Sequence, residues 1–373
     1  MTNKLSRKGF IIVTALLLFS TSVLSACNGT ATIQSTSSST STTASITGKT
    51  LNGAGGTFPA PLYTKWFAQY LALTGIQVNY QAVGSGAGIS AITNGTVDFG
   101  ASDAILTDEQ MGAAQAAFGP LLTIPTTMGA VAITYNLPNM GTDQLKLTGD
   151  VLADIYLKTI TYWDDPTIVA LNANLNLQHI PIAVVHRSDS SGTSFIFTNY
   201  LSQVSNVWAT QIGYATSINW RGDIGGAGSA GVAGDVQQIS GSIGYVELAY
   251  AVQNNMPVAM MQNSSGNYIV PSLASASAAA DGVTLPPNAL IMITNSSNPD
   301  AYPITGFTWL LVYQNQTDQT KGQELVNMLW WAIHSGQQYN NALTYPTLPA
   351  GAVTVAENEI NSMKCNGQQL QHS

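Results

Sequence analysis

Apolar residues along this chain gather into short runs rich in β-branched and aromatic side chains, alternating with longer stretches whose apolar positions recur at helical spacing. Gln77–Val83, Val97–Ala101, Leu121–Tyr135, Ile180–Val185, Ile243–Ala251 and Phe307–Tyr313 are predicted strands. Pro59–Leu73, Gly149–Tyr162, Thr193–Val204 and Lys321–Ser335 are predicted helices, and shorter helix-like stretches cover Ile89–Thr93 and Val232–Ile239. Thr107 ahead of Asp108-Glu109-Gln110 has the form of a helix cap. Strand then helix, repeated, predicts α/β layers on parallel sheets. The stretch from Thr50 onward exceeds what one core usually accommodates, so two lobes are expected. No internal repeat of fixed period is visible.

The N-terminus follows a different pattern. Lys4, Arg7 and Lys8 precede the apolar run Phe10–Leu24, whose 15 residues fall short of the ~20 needed to span a bilayer. It ends in Leu24-Ser25-Ala26-Cys27, which resembles a bacterial lipobox, so residues 1–26 are expected to be a lipoprotein signal peptide and Cys27 the lipidated residue. Between Thr30 and Thr47, 13 of 18 residues are Ser or Thr and none is charged, so residues 27–49 are expected to form a tether reaching on the order of 25 Å. With Cys27 lipidated, Cys365 has no disulfide partner and is expected to be an inert thiol at the surface or a helix end. The protein is thus expected outside the cytoplasm, anchored through lipid to the outer face of the cytoplasmic membrane, or in a periplasm if a second membrane exists.

Charge narrows the partners. Lys and Arg number 11 against 19 Asp and Glu; beyond Cys27 the balance is 8 − 19 = −11. Nucleic acid is a poor partner for such a chain. His179, His186, His334 and His372 are scattered without ligand spacing, so no metal site or cofactor is expected. The tryptophans, among them Trp66, Trp163 and Trp220, are expected to pack in the core.

Only Arg187 and Arg221 remain as arginines beyond Cys27, and Arg187 lies in His186-Arg187-Ser188-Asp189-Ser190-Ser191-Gly192-Thr193-Ser194, where a predicted strand runs into a predicted helix. Unpaired N–H groups at a helix N-terminus carry the positive end of the helix dipole, so an arginine, hydroxyls and a glycine there form a receptor for a tetrahedral oxyanion. Three further strand-to-helix junctions carry chemistry. Gly53-Ala54-Gly55-Gly56-Thr57-Phe58-Pro59 offers the Thr57 hydroxyl and the amides of Thr57 and Phe58, Gly84-Ser85-Gly86-Ala87-Gly88 offers Ser85, and Val97–Asp103 ends in a carboxylate. Strand ends in open α/β sheets converge on one crevice.

Catalysis is not expected. Ser191 or Ser194 beside His186 and Asp189 lie too close in sequence for a nucleophile, base and orienting group in line, and no G-x-S-x-G elbow is present. Gly226–Gly231 satisfies G-x-G-x-x-G formally, but no buried strand precedes it, so it is read as a loop. Arg221 is expected in a structural ion pair with Asp223 or Asp235.

The segments GAGGTFPAPLYTKWFAQY, VNYQAVGSGAG, VDFGASDA, IAVVHRSDSSGTSFIFTNYL, GSIGYVELAYA and YPITGF, in this order, resemble the PstS family, the phosphate-binding lipoproteins that feed the bacterial phosphate ABC importer. The resemblance runs from about Thr50 to about Leu348. It implies a two-lobed periplasmic-binding-protein-like (class II) α/β fold with the ligand cleft between lobes, lobe I from residues 50–127 and 302–373, lobe II from 128–301, and hinge crossings near Thr126–Gly129 and Ala301–Thr305. It implies phosphate contacts from Thr57, Phe58, Ser85, Asp103, Arg187, Ser191, Gly192 and Thr193, with Asp189 pairing Arg187. Its implied partners are phosphate and the ABC permease with its ATPase; another oxyanion such as sulfate or molybdate, or a phosphate sensor without transport, is the alternative. The chain departs from the family pattern at Ser190, where relatives often carry glycine, at Gly86, where a second serine is common, and at His186.

Asp103 carries the physical logic of discrimination. Phosphate near neutral pH keeps at least one proton and sulfate none, so a buried carboxylate accepts a hydrogen bond from P–OH but meets only lone pairs on sulfate.

Overall fold

The computed structural model describes residues 50–138, 140, 144–222 and 224–372, all within one compact unit. The expected signal peptide, the tether and Cys27 lie outside the described residues.

Eight strands form the main sheet: β1 (Thr50–Gly55), β2 (Gln77–Ala82), β3 (Phe99–Ser102), β4 (Leu121–Tyr135), β5 (Ala183–Arg187), β6 (Ile224–Gly226), β7 (Ser242–Glu247) and β8 (Thr305–Tyr313). Their order is β2-β1-β3-β8-β4-β7-β5-β6. The two flanks are parallel, but β8 runs antiparallel to β3 and β4, and β4 antiparallel to β7. The expected parallel sheet is therefore a mixed one, because β4 and the returning β8 thread its centre in opposite directions.

β4 organises the molecule. All 15 of its residues are buried, including four threonines whose hydroxyls are hydrogen-bonded. Leu121–Ala130 pair with β8, while Val131–Tyr135 pair with β7. The change of partner between Ala130 and Val131 divides the two-lobed α/β fold into one half around β1, β2, β3 and β8 and another around β5, β6 and β7. At this point the Val131 N–H donates to Ile304 O at 2.7 Å, where the chain enters β8.

Helices pack against both halves: α1 (Ala60–Thr74), α2 (Ser85–Thr93), α3 (Asp108–Phe118), α4 (Gly149–Tyr156), α5 (Gly192–Val204), α6 (Gly228–Gln238), α7 (Leu248–Gln253), α8 (Gln319–Ile333) and α9 (Ala350–Asn361). Thr107 forms the capping box with Gln110 at the start of α3. Aromatic side chains fill each core: Tyr63, Phe67, Tyr80 and Phe99 in the first half, Tyr156, Phe197, Trp220 and Tyr245 in the second. Trp66 and Trp163 are fully buried, and Trp220 stacks on His186. Fully burying a ring, as at Phe99 and Phe197, stabilises the fold by roughly 1.5–3 kcal/mol.

Several predicted boundaries move. The Ile243–Ala251 strand stops at Glu247, whose carboxylate accepts from the Ala249 N–H and starts α7. α4 ends six residues short of Tyr162, just ahead of Lys158, which adopts φ 62°. α6 begins at Gly228, four residues before Val232. Cys365 is buried in a two-residue strand, Lys364–Cys365, and is neither a surface nor a helix-end thiol.

Candidate functional site

The four chemically loaded junctions meet. Thr57 and Phe58 follow β1, Ser85 opens α2, Asp103 follows β3, Arg187 ends β5, and Ser191, Gly192 and Thr193 form the start of α5. All eight are buried. The first four belong to the β1–β3 half and the last four to the β5–β7 half.

The halves touch through Ser85 and Gly192. The Ser85 hydroxyl donates to Asp103 Oδ2 at 3.3 Å and accepts from the N–H groups of Asp103 and Gly192, each at 3.1 Å. Gly192 must be glycine here, since a Cβ would lie 2.4 Å from Ser85 Oγ and 2.6 Å from Asp103 Oδ2. The cap of α5 is Ser191, whose side chain accepts from the Ser194 N–H. Thr193 is thereby free of capping, and its hydroxyl accepts from Arg187 Nη1 at 3.2 Å.

Arg187 is buried with its guanidinium forked onto Asp189, through Nε to Oδ1 at 2.7 Å and Nη2 to Oδ2. Asp189 Oδ1 also accepts from the Gly228 N–H at 3.0 Å. Burial pushes the Asp189 carboxyl up, but the Arg187 hydrogen bond and charge and the backbone N–H donors outweigh it, leaving it below the usual range. Asp103 goes the other way: burial lifts it from 3.8 to about 6, against the pull of the Thr308 hydroxyl, the Arg187 charge and the Ser85 hydroxyl.

Residues that sequence reasoning missed complete the site. The Ser229 N–H, in the first turn of α6, donates to Thr57 Oγ1 at 3.2 Å; its hydroxyl lies 3.1 Å from the same atom and accepts from Arg187 Nη1 at 3.5 Å. Ser229 therefore joins the two halves through groups that face the cleft. It sits within the glycine-rich run read as a loop, and the serine in that run was the available signal. Thr308 of β8 donates to Asp103 Oδ1 at 2.7 Å.

Three phenols strap the turn after β1. Tyr80 donates to Gly56 O and Tyr250 to Thr57 O, each at 2.7 Å, and Tyr345 Oη lies 2.6 Å from Phe58 O. With three consecutive carbonyls tied outward, the turn's orientation is fixed. Tyr345 Oη is also 2.7 Å from Glu247 Oε2. A phenol has one proton, so both contacts are satisfied when Glu247 is neutral and donates to Tyr345, which donates to Phe58 O. Burial pushes Glu247 well above the usual carboxyl range, consistent with that proton.

Gly86 and Ser190, both expected to depart from the family pattern, meet in the structure. A Cβ at Gly86 would lie 2.1 Å from Ser190 Oγ, so serine at 190 requires glycine at 86. Ser190 has no positive φ, and its hydroxyl donates to Thr216 at 2.9 Å. Arg221 is exposed and donates to Gln211 Oε1 at 2.9 Å; Asp223 lies outside the described residues.

Residues 34–327 match the PBP superfamily domain. The chain is 42% identical over 310 residues to the phosphate-binding protein PstS of Xylella fastidiosa strain 9a5c, covering 82% of this chain and 84% of that protein. It is 39% identical over 311 residues to the PstS of Haemophilus influenzae, covering 83% and 92%. Among solved structures, a high-affinity periplasmic phosphate-binding protein with bound phosphate superposes with TM-score 0.67 at 22% identity, over 84% of this chain and 99% of that one. A phosphate-binding protein from Stenotrophomonas maltophilia superposes with TM-score 0.65 at 19% identity, over 83% and 93%. The chain belongs to the PBP superfamily and, within it, to the PstS phosphate-binding proteins.

Proposed function

We propose that this protein binds inorganic phosphate outside the cytoplasm and delivers it to an ABC permease for import. The observation that carries this reading is the pairing of a buried arginine with a buried carboxylate that is not its ion-pair partner: Arg187 is committed to Asp189, while Asp103 stands on the opposite side of the cleft with hydroxyl donors only. An anion bound between them meets a fork of donors on one side and an acceptor on the other. Phosphate, which carries both lone pairs and a proton, satisfies both.

Thr57, Phe58, Ser85, Asp103, Arg187, Ser191, Gly192 and Thr193 would be the contacts, with Asp189 orienting Arg187. Lobe I would comprise residues 50–127 and 302–373 and lobe II residues 128–301, bending where β4 changes partner. Cys27 would carry the lipid anchor and residues 27–49 the tether. The permease and its ATPase would be the protein partners, and no catalytic step is assigned to the site.

The test is calorimetric titration with phosphate, sulfate and molybdate after unfolding and dialysis to strip copurified anion, repeated with Asp103→Asn. Tight one-to-one phosphate binding without response to the other two is expected. An unmatched buried charge costs several kcal/mol, on the order of a thousandfold in affinity, and Asp103→Asn should erase much of that discrimination. Equal phosphate-to-sulfate ratios in variant and parent would overturn the role of Asp103, and silence toward phosphate would overturn the function.

A further inference from the structure

Thr308 is the one polar side chain that faces Asp103 from β8. It lies in Thr305–Tyr313, a strand whose every residue is buried, and its hydroxyl donates to Asp103 Oδ1 at 2.7 Å. The local backbone sets up this aim. Along the β8–β4 ladder Thr308 stands opposite Thr127 while Trp309 stands opposite Pro125, so Thr126 is an extra residue on β4. Such bulges re-aim neighbouring side chains. The bulge is itself anchored, with the Thr126 hydroxyl 2.6 Å from Tyr63 Oη and donating to Thr308 O at 3.3 Å.

With Oδ1 taken by Thr308, Oδ2 is the oxygen that lies toward Ser85 and the start of α5. Thr308 therefore both orients the carboxylate and supplies a hydrogen bond that favours its charged form.

We propose that Thr308 is the specificity-positioning residue of this site: its hydroxyl sets the pH below which the cleft ceases to reject a fully ionised oxyanion. The inference rests on the phosphate-binding reading. Ionised, Asp103 can only accept a hydrogen bond and repels an oxyanion without a proton. Protonated, it has an O–H to donate, and sulfate then finds a partner where it met a lone pair. The crossover follows the Asp103 titration.

The other groups around Asp103 hold their charge state across that range. Arg187 remains cationic and Asp189, held low by Arg187, remains anionic. Burial pushes Tyr63, Tyr80, Tyr250 and Tyr345 upward, and Glu247 well above the usual carboxyl range, so none of them gains charge as pH falls through the Asp103 titration. Asp103, lifted to about 6, is the group that changes.

The experiment measures sulfate and phosphate affinities from about pH 5 to about pH 8.5, together with the carbon-13 carboxyl titration of Asp103 in the ligand-free protein, its resonance assigned by its loss in Asp103→Asn. The parent should begin to bind sulfate as pH falls through about 6. Thr308→Val, nearly isosteric but without the hydroxyl, should move both the sulfate midpoint and the carboxyl titration up by about one to two units, which raises sulfate affinity at neutral pH about five- to tenfold. Thr308→Ser, which keeps the donor, should return both to within a few tenths of a unit of the parent. A folded Thr308→Val with unmoved midpoints overturns the proposal. Should the valine variant not fold, Thr308→Ala must show the same upward shift, and an unmoved midpoint there overturns it equally. A parent that binds phosphate at no pH defeats the functional reading alone, because the carboxyl titration of the three variants still decides what Thr308 does to Asp103.

Discussion

Gly192→Ala isolates closure of the cleft from the chemistry inside it. The substitution keeps the 192 N–H, and Gly192 is not among the residues with positive φ, so alanine adopts the same backbone and is the better helix former in α5. What changes is contact between the halves. The new methyl would stand 2.4 Å from Ser85 Oγ, 2.6 Å from Asp103 Oδ2 and 2.7 Å from Asp103 Cβ. Ordinary contact is about 3.5 Å or more, so the overlap is roughly 1 Å. Ser85 could rotate away only by giving up its bonds to two N–H groups, and Asp103 Cβ is fixed to the end of β3. Overpacking of this kind costs about 1–3 kcal/mol, and here the halves can avoid it by staying apart. The penalty therefore falls on the closed form, predicting about 5- to 150-fold weaker phosphate binding with unchanged thermal stability in the absence of phosphate. Calorimetry gives the affinity, and tryptophan fluorescence follows closure. Affinity within twofold of the parent would refute the reasoning, as would a ligand-free protein destabilised by the full penalty, since the strain would then be carried by the open form too.

Two further outcomes follow from the same geometry. Ser229→Ala removes the hydroxyl shared by Thr57 and Arg187 but keeps the N–H bond to Thr57; at about 1 kcal/mol for one hydrogen bond, phosphate should bind on the order of fivefold more weakly, through faster release in stopped-flow, and an unchanged release rate would count against the bridging role. Glu247→Gln should flatten the pH dependence of stability. The folded state holds a Glu247 proton that the unfolded chain releases above its ordinary 4.5, so the parent loses stability as pH rises from there toward the raised folded value. Asp103 adds a slope of the same sign that ends near its value of about 6. Urea midpoints at intervals above about pH 6 thus isolate Glu247, and equal slopes in parent and variant throughout would show that it is not the protonated group.

The elements that sequence made legible are those whose pattern is local. The predicted strand Leu121–Tyr135 is found as β4, and α1, α5 and α8 lie within two residues of their predicted ends. The glycine-bounded turns and the lone arginine at a strand end identified the junctions, because those residue types answer local backbone and charge requirements. What escaped depends on partners far along the chain. Thr308 reads as one hydroxyl in an apolar strand until Asp103, 205 residues away, is placed beside it. Ser229 reads as loop until Thr57 arrives from 172 residues away. Glu247 reads as a charged interruption in a strand; its side chain starts α7 and is buried against Tyr345, which no spacing rule connects to it. Gly86 and Ser190 look unrelated in sequence, and only their contact shows that the serine at 190 leaves no room for a side chain at 86.

The division of labour between the halves bears on when the site discriminates. Arg187 and the start of α5 belong to one half, Asp103 and Ser85 to the other. With the halves apart, an oxyanion can dock on Arg187 and the N-terminus of α5, where any tetrahedral anion finds donors and nothing tests for a proton. Net charge does not help this first capture: the chain is −8 overall, and buried Arg187, Asp189 and ionised Asp103 sum to −1 at the site. Attraction must come from directed hydrogen bonds, each worth about 1 kcal/mol, which require the second half to swing in. On the proposed contacts, that same movement would bring Asp103 against the ligand. Phosphate would present a proton to it and gain a bond; sulfate would present a lone pair and raise the cost of closing. Selection would then occur at closure rather than at encounter, since the donors needed for tight binding could not be recruited without also admitting the carboxylate that rejects the wrong anion.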